Sequence, residues 1–171
     1  MKKIVAVMIL AMAAWGCHEN ESAKKDDQYT GNQSVYSLQP GSDYAVSGTV
    51  TFKELKDGTA NVIIQLSGTE GEVQHPVHLH LGNISVDGAN VAAFLNPVLG
   101  KTGKSETHLT SLADESAVTY KQLIGLNACV KIHLSASGPD QTIVLAGGNI
   151  GLAASKDSTN GRMGVGVCKS E

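Results

Sequence analysis

The chain has 171 residues, 13 Lys and Arg against 16 Asp and Glu, and a formal net charge of −3. That length suits one domain with a real core, and a mildly acidic chain without a basic stretch argues against a nucleic-acid partner. Only one Trp, four Tyr and two Phe are present, too few for a large aromatic docking face.

Lys2-Lys3, an apolar run from Ile4 to Trp15, and Gly16-Cys17 open the chain. A basic start, a dozen apolar residues and a small residue spell a signal peptide over 1–16, too short to span a bilayer. A cysteine directly after the small residue is the pattern of a bacterial lipoprotein, cleaved before Cys17 and acylated on it; ordinary secretion is the alternative. Cleavage there leaves 155 residues and a formal charge of −5. No later segment reaches spanning length, so a lipid on Cys17 would be the membrane attachment, at the bacterial cell envelope. Residues 17–34 read as lipidated Cys and polar tether, since the stretch is charged and lacks periodicity. Its Lys24-Lys25-Asp26-Asp27 run is either an export tag or an ordinary solvated linker.

Residues 35–171 read as one β domain. Ala45–Phe52 alternates cleanly, with Val46, Val50 and Phe52 on one side. Asp57-Gly58 is a hairpin signal, followed by Asn61–Leu66 with Val62, Ile64 and Leu66 inward. Further short strands are expected around His78 and His80, then at Val91–Leu95, Ala117–Tyr120, Ala128–Leu134, Thr142–Ala146 and Met163–Cys168. Leu112–Leu123 has room for a short helical turn. Nineteen glycines and no convincing amphipathic helix predict an all-β sandwich or barrel of about eight strands with Greek-key connections.

The chemistry concentrates in three histidines. In Pro76-Val77-His78-Leu79-His80-Leu81, alternation sends His78 and His80 to one face and Val77, Leu79 and Leu81 to the core. His133, in Val130-Lys131-Ile132-His133-Leu134, comes from a second strand. Imidazoles two apart on one face, joined by a third, make a metal site that suits copper or zinc better than a hard cation. The competing reading is three side chains that hydrogen-bond loop backbone. His75 is a candidate fourth nitrogen or an exposed loop residue beside Pro76, and His108 is expected to be exposed. Glu70, Glu72 and Asp87 are near the histidine strand in sequence and are either acceptors for it or solvated. With Cys17 lipidated, Cys129 and Cys168 remain, and a disulfide between them or two buried thiols satisfies their parity. There is no G-x-S-x-G, H-E-x-x-H, Walker loop or C-x-x-C.

These residues carry a resemblance to two related patterns. His75-Pro76-Val77-His78-Leu79-His80-Leu81-Gly82, Asn96-Pro97 and Val130-Lys131-Ile132-His133 resemble the copper/zinc superoxide dismutases. That resemblance implies His78, His80 and His133 as copper ligands, a superoxide-like small anion as substrate, and Arg162 in Gly161-Arg162-Met163-Gly164 as the catalytic anion guide. Arg162 also reads as a surface arginine in a Gly-rich turn. On the zinc side Phe94 stands where the bridging histidine belongs, Thr102 replaces a zinc histidine, His108 can stand for the third, and Ser111 replaces the aspartate. One copper, with zinc the lesser alternative, and not a dinuclear centre, is therefore what the resemblance implies. His78-Leu79-His80, Ile132-His133 and Asn149-Ile150-Gly151 are similar to the CHRD (chordin-type) domain. The expectation is a secreted lipoprotein of superoxide-dismutase-like fold that binds one copper ion, for superoxide dismutation or copper handling. A non-catalytic extracellular CHRD-type module, using the 83–90 and 97–108 loops, is the alternative.

Overall fold

The computed structural model of the protein describes residues 27–156. Eight strands form a closed antiparallel barrel: β1 (Tyr29–Pro40), β2 (Ser47–Leu55), β3 (Ala60–Ser67), β4 (Gln74–Leu81), β5 (Val91–Leu99), β6 (Lys104–Leu109), β7 (Asn127–His133) and β8 (Val144–Ile150). Around the barrel they run β1-β2-β3-β6-β5-β4-β7-β8. Both the β3–β4 and the β6–β7 connections therefore skip neighbours, as in a Greek key. The all-β expectation of about eight strands holds.

The barrel closes because each strand alternates. Val50 and Phe52 of β2, Val62 and Ile64 of β3, Val77 and Leu79 of β4, and Val130 and Ile132 of β7 are all essentially inaccessible and share one core. Leu81, expected inward, is 45 % exposed at the strand end. Asp57 and Gly58 turn the chain between β2 and β3. Gly58 has φ 83°, and Asp57 Oδ1 accepts from both the amide and the hydroxyl of Thr59.

Three elements differ from expectation. First, β1 begins at Tyr29, within the stretch read as tether. Second, Ala117–Tyr120 is not a strand: Ala117 makes one isolated bridge to Ser111, and α1 (Tyr120–Ile124) follows. Thr119 and Gln122 form a reciprocal capping box, and α1 buries Tyr120 and Leu123 in the core. Third, β6 was not foreseen, because Ser105 and Thr107 occupy positions where apolar residues would have marked a strand. Backbone pairing of β5 with β6 has a single register pair, Leu99 with Lys104. Side chains close the seam: Ser105 Oγ donates to the Asn96 carbonyl at 2.6 Å, the Asn96 amide donates to Thr107 Oγ1 at 2.8 Å, and Asn96 Nδ2 donates to the Glu106 carbonyl at 2.7 Å. The chain ends, among the described residues, in α2 (Gly151–Ser155). The strand expected at Met163–Cys168 lies outside them.

Leu79, at 0 % exposure between β5 and β7, should be among the most sensitive core positions. Leu79→Ala is expected to lower unfolding free energy by about 2–5 kcal/mol, read from the urea midpoint. A loss well below that range would mean the barrel interior is not packed as described.

Candidate metal centre

The β4–β7 ladder places the histidines. Val77 pairs with Ile132, His78 with Lys131, Leu79 with Val130, and His80 with Cys129. Paired residues share a face, so Val77, Leu79, Val130 and Ile132 fill the barrel while His78 and His80 emerge outside. His133, two residues beyond Lys131, emerges on the same side. A register shift opposite β8, between Ile132 and His133, marks the end of regular pairing there.

The three rings converge. One ligating atom from each of His78, His80 and His133 lies within 4.8 Å of the others, and the group can hold a metal ion. Ring centroids are 4.7 Å apart for His78–His133, 5.7 Å for His78–His80 and 6.1 Å for His80–His133. His80 and His133 are buried and His78 is partly accessible. Among the described residues, no carboxylate or thiolate belongs to the converging group.

Two loops orient the rings. His80 Nδ1 is 2.9 Å from the Ala89 carbonyl oxygen, and His133 Nδ1 is 3.0 Å from that of Gln141. A carbonyl only accepts, so each Nδ1 carries the proton and Nε2 is the ring nitrogen with the lone pair. Metal-binding histidines are commonly held in this way. Ala89 belongs to the β4–β5 loop, which folds over the outer face of β8. There the Ile84 amide donates to Asn149 Oδ1 at 2.7 Å. A Cβ at Gly147 would come 2.6 Å from Ile84 Cδ1, so glycine there gives the loop room to pack closely. Gln141 lies in a 3-10 turn, Pro139–Thr142, on the β7–β8 connection. Phe94 of β5 pairs with His78 across the ladder and meets its ring edge-to-face, 5.1 Å between centroids at 84°.

The remaining expected residues fall elsewhere. His75 is buried, not a loop residue, and its Nδ1 hydrogen-bonds the Leu134 carbonyl at 3.2 Å. It is not in the converging group. His108 is exposed on β6, 2.8 Å from Thr59 Oγ1, in the β3–β6 part of the barrel. Thr59 already donates its one hydroxyl proton to Asp57, so His108 Nε2–H donates to Thr59. Glu72 is exposed and pairs with Lys101, and Glu70 is exposed, whereas Asp87 lies on the β4–β5 loop two residues before Ala89. Cys129 is buried on the outer face opposite His80. Cys17, Arg162 and Cys168 lie outside the described residues, and with them the lipid attachment, the anion guide and the second half of the expected disulfide. Phe94 and the two carbonyls escaped the sequence reading as parts of the site. Backbone acceptors leave no mark in side-chain identity, and Phe94 had been noted only where a histidine was missing.

Electrostatics keep the His133 ring neutral. Burial, then the neighbouring His78, push the His133 pKa from 6.5 down to about 4; the Gln141 hydrogen bond opposes this, and His80 and Lys131 add to the depression. Between those values the unfolded chain takes up a proton that the folded chain refuses. Stability therefore falls as pH drops from about 6.5 towards 4. An NMR titration of the metal-free protein should find the His133 ring neutral at pH 5.5, with the urea midpoint declining through this window. A His133 ring that titrates near 6.5 would contradict the burial described. No family model matches the chain and no curated protein matches it, so the three-histidine geometry itself carries the chemical reading.

Proposed function

We propose that this protein is an exported, lipid-anchored bacterial envelope protein whose barrel binds one copper ion through His78, His80 and His133. The observation that supports this is the convergence of three imidazoles, two of them held in the Nε2-ligating tautomer by backbone carbonyls. Imidazole nitrogens suit copper and zinc and are poor donors for calcium or magnesium. The export and anchoring part rests on the amino-terminal pattern that ends in Gly16-Cys17.

Copper, when bound, supplies one-electron chemistry. The chain's own residues do the holding: His80 and His133 form a buried, oriented pair, and His78 completes the set at the solvent edge. Copper handling, meaning capture and retention of the ion, needs only this. Superoxide dismutation needs in addition an approach for a small anion, and the partly accessible His78 edge is where one would enter. Arg162 would guide that anion in the dismutase reading.

The test is a copper titration of the mature chain, with electron paramagnetic resonance and superoxide removal measured on the same samples. Wild type is expected to bind one equivalent with nitrogen hyperfine structure. His80→Ala should weaken binding by about 100-fold or more, and His108→Ala should leave it unchanged. Binding accompanied by superoxide removal assigns a dismutase, and binding without it assigns copper handling. If neither wild type nor His80→Ala binds copper, the histidines are structural and the chain is a non-catalytic CHRD-type binding module.

A further inference from the structure

A second concave site lies on the outer face, where the β2–β3 hairpin and β6 meet the start of the described chain at Gln28. Around the barrel, β5 separates it from β4 and the histidine group. The cleft has a volume of about 450 Å³, within the range that holds small ligands. Strand alternation builds its floor. Val62 and Ile64 point into the core, so Asn61 points out, and it pairs across the β3–β6 ladder with His108. Leu55, Lys56 and Asp57 form a wall beside them.

Asn61 is only 5 % exposed, and its amide is fixed in one orientation. Nδ2 donates to Glu106 Oε1 at 2.6 Å and to Tyr29 Oη at 2.7 Å. A carboxylate only accepts, so the NH2 end of the group faces Glu106, and both of its protons are spent. Among the described residues no donor reaches Asn61 Oδ1, which is not sealed from solvent and opens on the cleft that Asn61 lines. A carbonyl held so deep without a protein donor is an acceptor that a ligand can satisfy. Its ladder partner is an acceptor too. With Nε2–H given to Thr59, the neutral His108 ring keeps its lone pair on Nδ1.

The wall adds negative charge. Asp57 Oδ1 accepts from the Thr59 hydroxyl and amide, which hold its carboxyl below the usual carboxylate range and leave it ionised. Lys56 does not cancel this charge, because its ammonium sits 2.7 Å from Asp27. Acceptors beside a carboxylate call for a ligand that brings N–H donors and positive charge. A primary ammonium brings both, and Leu55 gives its carbon chain an apolar neighbour.

We propose that this cleft binds a small aliphatic primary amine as its ammonium ion, with Asn61 Oδ1 and His108 Nδ1 accepting from its N–H groups and Asp57 balancing its charge. The site is separate from the histidine group and stands whether or not copper binds there.

An NMR titration of the isotopically labelled mature chain with propylammonium chloride tests this. Tetramethylammonium chloride, equally charged but without N–H donors, is the comparison. Propylammonium is expected to shift the Asn61 side-chain amide and the His108 ring saturably, and tetramethylammonium to bind at least about tenfold more weakly. Asn61→Leu removes the acceptor and should weaken propylammonium binding by about tenfold or more. That variant also gives up the bonds to Tyr29 and Glu106, so Asp57→Asn, which keeps the Oδ1 acceptor of the turn, is the second. It should weaken binding by about two- to fivefold. Shifts that grow linearly with propylammonium and never saturate overturn the inference. Equal affinities for the two cations do so as well, since they would mean general attraction of positive charge. So does either variant, once folded, that binds propylammonium as tightly as wild type.

Discussion

The register of the β4–β7 ladder is the constraint on which everything else depends. With Val77 opposite Ile132 and Leu79 opposite Val130, four aliphatic side chains enter the barrel and the histidines between them stay outside. A slip of one residue would reverse every side chain, burying His78, His80 and Lys131 among aliphatics and exposing the core. The hydrophobic effect that closes the barrel thus also selects the arrangement in which the imidazoles meet. Assembly of the centre costs no separate rearrangement of the strands, because the pairing that builds the core builds the donor set.

What the ladder leaves undetermined, the loops supply. A strand fixes the direction of a Cα–Cβ bond but not the rotation of an imidazole about it. The Ala89 and Gln141 carbonyls settle that rotation for His80 and His133, and the Phe94 ring packs against His78. Both carbonyls lie on connections anchored to the barrel. The β4–β5 loop is held on β8 by Ile84, and the β7–β8 connection begins with the Leu134 amide bonded to the Ile143 carbonyl. Loss of order in either loop would free a ring to turn and take its nitrogen out of the set. Convergence of the three imidazoles and order of the two loops are in this way the same property seen from two sides.

The three-histidine group was readable in the chain because side chains alternate along the β4–β7 ladder: His78 and His80 are two apart, and His133 is two beyond Lys131. The same rule made β2, β3, β7 and most of β5 legible from their aliphatic residues. It failed where hydroxyls replace aliphatics, as at Ser105 and Thr107 of β6, whose job is to bond Asn96 across a seam nearly without backbone pairing. It failed again at Tyr120, whose inward side chain suits a strand as well as a helix; the Thr119–Gln122 capping box was the signal that separates them. His75 was misplaced because the bulge opposite Pro76 interrupts the alternation that would have buried it. The placement of the Ala89 and Gln141 carbonyls comes from the folding of two connections, which no local side-chain pattern encodes.

The most direct test of the account is a crystal structure of the copper-loaded protein with anomalous data collected at the copper edge. The account predicts one strong anomalous peak on the outer face of the barrel, about 2.0 Å from nitrogens of His78, His80 and His133, with Nε2 as the ligating atom of His80 and His133 and the Ala89 and Gln141 carbonyls still bonded to Nδ1. A peak elsewhere on the protein, or a loaded crystal in which the three rings turn away from one another, would contradict it.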